Sequence, residues 1–269
     1  MLEIEAAFSQ AMKEAGLVLS GEIIADGKFH RFRVAGDKQG KTSGWYMIRA
    51  DGVPFGTFGN WKTGLKKVWR AKNKSNLTAA ELKEYKERRK VAHEAWEAED
   101  MLAKQAAREK ANSTWQSSSL ASDGHCYLKK KGVKNYGLRF SKGSLIAPLY
   151  DNAGVLHSLH FINMQGEKRF LPGGRIKGCY FGIGEPTDTI CIAEGYATAA
   201  SIYEATGYAV AAALGAGNLL SVSKALREKF PAIKIIICAD NDIDNPNNPG
   251  LTYAREAAAA VGAFLTFPE

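Results

Sequence analysis

The sequence predicts a mixed architecture, α+β at its front and α/β at its end. A C-terminal parallel sheet flanked by helices is preceded by a basic strand-rich segment, a long helical spacer and a small β-rich N-terminal domain. Three observations predict it. Two short apolar runs, Ile190-Cys191-Ile192-Ala193 and Ile235-Ile236-Ile237-Cys238-Ala239, are separated by helical stretches, the pattern of parallel strands buried on both faces. Residues 78 to about 115 form a charged, helix-favouring run without proline or glycine. Before residue 75, apolar and aromatic residues alternate with basic ones between glycines, as in an antiparallel sheet with one solvated face.

Residues 1–75 open on an amphipathic helix and continue into strand-like pieces at 29–34, 44–48 and 52–61. Arg31, Arg33, Lys62, Lys66 and Lys67 stand among Trp45, Tyr46, Trp61 and Trp69. Single-strand binders stack bases on such a mixture of rings and cations, whereas a very small domain uses the same rings to fill its core. Both roles stay open for these aromatics.

The helix after residue 78 starts with Thr78 and Glu81 in capping-box spacing. Its apolar stripe (Leu82, Tyr85, Ala92, Trp96, Ala103) is thin, which suits a spacer or a simple packing helix. Serine-rich residues 112–122 read as a linker, which completes a helix-and-linker segment over 76–122. Across 123–185, strands are expected at 127–132, 135–139, 144–150 and 155–162, with Asp151-Asn152-Ala153-Gly154 turning the last two into a hairpin. Lys130, Lys131, Arg139 and Lys142, near the turns of this segment, are candidate DNA contacts together with Arg31, Arg33, Trp45, Trp61, Lys62 and Lys66. His157 and His160 lie three apart on one strand, hence on opposite faces, and read as ordinary polar or core residues.

Both apolar runs of the C-terminal segment, 186–269, end in acid: Glu194 after the first, Asp240 and Asp242 after the second. Ligands of an open α/β sheet bind outside the carboxyl ends of its strands, so these carboxylates converge there. Three of them would repel one another unless a cation sits among them, and oxygen-only ligands suit Mg²⁺ or Mn²⁺. A single acid after a strand is often a helix N-cap or a solvated loop residue. Glu is a poor N-cap, however, and Gly195 behind it permits close approach of a backbone or a phosphate.

Glu194-Gly195-Tyr196, the Ala213-Leu214-Gly215 turn, the Asp240-Asn241-Asp242 pair and the downstream Gly250 with Ala254 resemble the TOPRIM domain. The version they resemble is that of bacterial, phage and plasmid DNA primases. A weaker likeness to plasmid and phage primases of the conjugative type extends upstream through 157–174 and into 44–69. The resemblance implies a Mg²⁺-dependent nucleotidyltransferase that makes short RNA primers on single-stranded DNA from ribonucleoside triphosphates, with a separate replicative helicase as a possible partner. It implies Glu194, Asp240 and Asp242 as catalytic metal ligands with Asp244 as an auxiliary one. Lys168, Arg169 and Arg175, with Gly195, are implied beside the nucleotide phosphates, the alternative for these cations being a solvated hairpin tip. Replicative primases often carry Asp four residues after the Glu, where this chain has Thr198. They also often begin with a zinc ribbon, but no cysteine precedes Cys126, so no structural zinc is expected. A TOPRIM nuclease cutting phosphodiesters and a non-catalytic single-strand-binding replication accessory protein remain as alternatives. A type IA topoisomerase needs a longer chain, and a recombination mediator of this kind needs a cysteine zinc cluster.

Composition agrees with a cytoplasmic nucleic-acid protein. The chain has 269 residues, is 45% hydrophobic and contains neither a membrane-length apolar run nor a secretory leader pattern. Its four cysteines lack Cys-x-x-Cys spacing and read as reduced core residues. The net charge of +8 is uneven: residues 1–140 hold 26 Lys and Arg against 16 Asp and Glu, and the remainder 10 against 12. The basic half should meet a polyanion, while in the other half a cation would do the neutralising. A P-loop is absent from the sequence, which excludes an attached P-loop ATPase within these residues.

Overall fold

Alternating side chains along the N-terminal strands let one sheet face collapse on a helix, and that is what the computed structural model shows. Residues 2–37, 39–40, 42–51, 54–61, 63–71, 78–241 and 248–268 are described, in two units, 1–97 and 98–269. In the first, helix α1 (Leu2–Glu14) precedes an antiparallel meander of β1 (His30–Phe32), β2 (Gly44–Arg49), β3 (Phe55–Asn60) and β4 (Leu65–Arg70), in that spatial order. Phe32, Tyr46, Ile48, Phe58, Leu65 and Trp69 turn to one face and close on Phe8 and Met12 of α1. Phe8 sits edge-on to Tyr46, Phe58 and Trp69, with centroids 5.4–6.1 Å away. Of the four rings beside the basic residues, Tyr46 is buried in this core, Trp69 packs partly buried against it, and Trp45 is buried on the other sheet face. Strand β4 was not anticipated.

The division between units falls within helix α2 (Ala79–Ser117). This helix runs through most of the stretch expected as a serine-rich linker. Ser117 and Ser118 hydroxyls donate back to the Thr114 carbonyl, and Ala111 and Trp115 pack on a sheet, so burial on one side overrides the serines' preference for turns.

In the second unit, β5 (Ser119–Leu120) leads into α3 (Cys126–Lys131). The expectation of a strand at 127–132 is thus corrected: His125 Nδ1 accepts from the Tyr127 N–H at the helix start, and Gly132 closes the helix in the left-handed region at φ 65. Strands β6 (Arg139–Ser141), β7 (Ser144–Tyr150), β8 (Leu156–Asn163) and β9 (Lys168–Phe170) complete an antiparallel meander with β5. The expected Asp151–Gly154 turn joins β7 to β8, closed by the Gly154 N–H to the Asp151 carbonyl. The expected strand at 135–139 shrinks to its last residue, since Asn135 spends its side chain on the Ala121 and Leu138 carbonyls and the Leu138 N–H, holding a turn.

The chain then enters the predicted parallel sheet. Strand β10 (Phe181–Ile183) is its antiparallel edge; β11 (Thr189–Ala193), β12 (Ala209–Ala212), β13 (Lys234–Cys238) and β14 (Phe264–Thr266) run parallel, in the order β10-β12-β11-β13-β14. Helices α4 (Tyr196–Thr206), α5 (Leu219–Lys229) and α6 (Pro249–Val261) make the crossovers. Strand β11 is buried on both faces: Ile190 and Ile192 pack with α5 and α6, while Cys191 and Ala193 pack with Tyr196 and Ala199 of α4. The second of these cores also contains Leu138, Leu145 and Ile162 of the antiparallel meander, so the strand-rich segment and the C-terminal sheet share one interior. Tyr196 pins the join, its hydroxyl accepting from the Tyr136 N–H and donating to the Lys134 carbonyl. All four cysteines are free thiols.

Candidate active site

Strands β11 and β13 are hydrogen-bonded neighbours with Ala193 opposite Cys238, so Glu194 and Asp240 leave the sheet side by side at its carboxyl rim. Both are half-buried. Behind Glu194, Gly195 is the N-cap residue of α4, whose N-terminal end favours negative charge at this rim. Thr198, in the first turn of α4, donates its hydroxyl to Asp240 Oδ1 at 3.3 Å. The residue that departs from the resembled pattern is thus a fixing contact for one of the acids. Asp242 and Asp244 lie outside the described residues.

Lys168 reaches this rim. Its Nζ stands 3.7 Å from where a Cβ on Gly195 would lie, beside Glu194. Strand alternation explains the placement, because Lys168 pairs with Ile162 and shares with it and Phe170 the sheet face of the common interior. Arg169 takes the opposite face, its guanidinium 5.3 Å above the Phe161 ring. Neither residue sits on a hairpin tip; that turn is at 163–167, where Asn163 Oδ1 accepts from the Gln165 and Glu167 N–H groups. Arg175 is elsewhere again. It is 3.8 Å from Asp151, which His157 also holds at 2.7 Å, and it lines a groove of about 1200 Å³ along α2 with Lys104, Arg108, Asn112 and Gln116. Burial pushes the Asp151 carboxyl up, but the hydrogen bond from His157 and those from the Val155 and Ala153 N–H groups outweigh it and hold the group below the usual carboxylate range.

The candidate DNA contacts are dispersed. Lys130 and Lys131 are exposed in the last turn of α3, and Lys142 (φ 49) forms the β6–β7 turn with Gly143. Arg139 lies 4.5 Å over the Trp115 ring and donates to the Trp115 carbonyl, tying down the end of α2. Arg33 donates to the Asp37 carbonyl and Arg31 to that of Thr42. Trp45, Trp61 and Lys66 lie on or beside the N-terminal sheet face that α1 leaves uncovered; Lys62 is outside the described residues.

Sequence reasoning missed two residues that build the rim. Asn218, buried, accepts from the Gly178 N–H and donates to the Cys179 and Ala213 carbonyls, joining the segment before β10 to the end of β12. Leu214, beyond β12, is held at φ 60, a conformation unfavourable for a branched side chain. Only the Ala-Leu-Gly pattern hinted at either.

His160 lies on the same sheet face as Lys168, opposite Phe170. It is buried against Phe170, its Nδ1 has no hydrogen-bond partner among the described residues, and burial together with the Lys168 charge pushes its pKa down to about 4. The unfolded chain, with an ordinary value near 6.5, then binds the proton first, so stability is complete above about pH 6.5 and is lost as pH falls toward about 4. Roughly 2 kcal/mol should separate pH 7 from pH 4.5 on this account alone. In denaturant titrations, His160→Leu should therefore gain about that much on the parent between the two pH values; an equal gap at both would show that this ring does not titrate.

The donor set fits a hard cation: carboxylate oxygens from two adjacent strand ends. No group of three His, Cys, Asp or Glu residues placed to hold a metal occurs among the described residues. Nor is any helix among them long and apolar enough to cross a membrane.

Residues 189–265 match the Toprim domain family. Over 277 residues, 97% of this chain, the sequence is 36% identical to a DNA primase TraC of Escherichia coli, 26% of which is covered. A second Escherichia coli DNA primase TraC is 32% identical over 290 residues, covering 97% of this chain and 19% of the relative. The chain thus spans about a quarter or less of the length of the curated relatives it matches. The primase fragment of the bacteriophage T7 primase-helicase protein superposes with a TM-score of 0.42 at 16% identity, over 56% of this chain and 69% of that one.

Proposed function

We propose that this chain, whose C-terminal part is a Toprim domain and whose length aligns with two DNA primases, is the catalytic portion of a DNA primase that joins ribonucleotides on a single-stranded DNA template. The observation that carries the reading is the meeting of Lys168 with the Glu194-Gly195 junction, beside Asp240. Carboxylates on one wall and an ammonium on the other suit a triphosphate.

In this reading Glu194, Asp240 and Asp242, with Asp244 as auxiliary, hold Mg²⁺ or Mn²⁺. The chemistry such an ion supplies is neutralisation of phosphate charge and a lowered pKa for the attacking hydroxyl. Thr198 keeps the Asp240 carboxylate in one orientation. Lys168 donates to phosphate oxygens of the incoming nucleotide, and the N-terminal end of α4 favours the same charge. The 3′-oxygen bonds to the α-phosphorus, its proton passes to solvent or a rim carboxylate, and pyrophosphate leaves. The basic N-terminal half receives the template, the cytoplasm is the place of action, and a replicative helicase is a separate partner.

Given single-stranded DNA, labelled ribonucleoside triphosphates and Mg²⁺, the chain should produce short RNA. A chelator or omission of the template should remove the product. Incorporation that survives without template would defeat the reading.

A further inference from the structure

We infer that the uncovered face of the N-terminal sheet is a stacking platform for a single strand of nucleic acid. Cross-strand partners share a face, and register puts Arg31, Trp45, Gly59 and Lys66 in one row. Met47, Thr57 and Val68 form the next row, and Arg49, Phe55 and Arg70 the last. Four cations stand in these rows, with Asp26 bridged to Arg49 at the end of the last row. The core formed with α1 takes residues from the other face only; on this face Phe29 and Trp61 lie over Trp45, and Gly27 lies against the Arg49 side chain.

Apolar groups remain largely in solvent here, even where they pack on Trp45. Trp61 is 60% exposed, Val68 58% and Phe29 51%, whereas Trp45 is 5% exposed. Trp45 is the base on which the others stand: Phe29 stacks on it at 5.2 Å with planes 19° apart, and Trp61 lies 5.5 Å from it. Gly59 makes that possible. A Cβ there would come within 2.6 Å of the Trp45 ring and 2.1 Å of the Leu65 carbonyl oxygen, so only glycine lets the indole lie across the sheet.

Half-exposed rings flanked by Arg31 and Lys66 match the two parts of a single strand, unstacked bases and a charged backbone. A duplex keeps its base faces inside and would find only the cations. This deepens the template-binding part of the proposed function and rests on it for the identity of the strand, but it can be tested without any synthesis.

The test is binding of the full chain to a fluorescent thymidine oligonucleotide without Mg²⁺ or nucleotides, across a salt series. Phe29→Ala and Trp61→Ala remove exposed rings, so the fold should survive, as circular dichroism can verify. Each should weaken binding roughly tenfold and leave the salt slope unchanged, and Trp61→Phe should recover most of the loss. Lys66→Ala should reduce the slope by about 0.7, one phosphate contact on a single strand. Duplex of the same length should bind equally to the parent and the ring variants. Unchanged oligonucleotide affinity in both ring variants overturns the inference, as does a shared loss for duplex and single strand. Loss of self-association with unchanged oligonucleotide affinity would also overturn it, making the face a contact between copies. A chain that makes no RNA yet shows the ring-dependent binding would defeat the primase reading and leave this one standing.

Discussion

Glu194→Ala and Asp240→Asn are each expected to reduce ribonucleotide incorporation by about a thousandfold or more while leaving the fold intact. The two side chains stand at the open rim of a sheet whose interior is made by Ile190, Ile192, Ile235 and Ile237, none of which either substitution touches. Removing one of several crowded carboxylates relieves repulsion, so the melting temperature should stay level or rise. Asp240→Asn is the sharper variant because its amide oxygen still accepts from Thr198, and only the charge is lost. Direct titration with Mn²⁺ should show weakened binding in both variants, a readout independent of turnover. Full incorporation by either would remove that acid from the site.

Lys168→Ala should raise the nucleotide concentration for half-maximal synthesis roughly tenfold or more, since a charge-assisted hydrogen bond is worth about 1.5–3 kcal/mol. Arg169→Ala should change it less than about twofold. The contrast follows from strand alternation: Lys168 faces Gly195, whereas Arg169 lies over Phe161 on the other side of the sheet. Dependence on Mg²⁺ should be alike in both variants, because neither side chain belongs to the carboxylate wall. Initial rates over a nucleotide series decide it, and a larger effect from Arg169 would mean that the face assignment is wrong.

How far the sequence led depends on how much of each element's pattern was burial. Strands β11 and β13 were legible because both faces are apolar, and their acids followed from the rule that α/β sheets bind at strand ends. Strand β4 was illegible: Leu65-Lys66-Lys67-Val68-Trp69-Arg70 is an edge strand with an open face, so its residues show little alternation. Residues 127–132 read as a strand, but Lys129–Lys131 form the last turn of α3, where cations suit the helix end. For Lys168 and Arg169 the sequence was read without the rule that two adjacent strand residues must part to opposite faces. Thr198 was visible only as a departure, since a hydrogen bond between α4 and the end of β13 has no signature in either segment alone.

The most direct test of the central claim is to size both products of one reaction, with one label on the ribonucleotides and another on the single-stranded DNA. The account predicts short RNA, DNA of unchanged length, and the loss of that RNA in Asp240→Asn. Shortened DNA with no RNA would contradict it and turn the same carboxylates to phosphodiester cleavage.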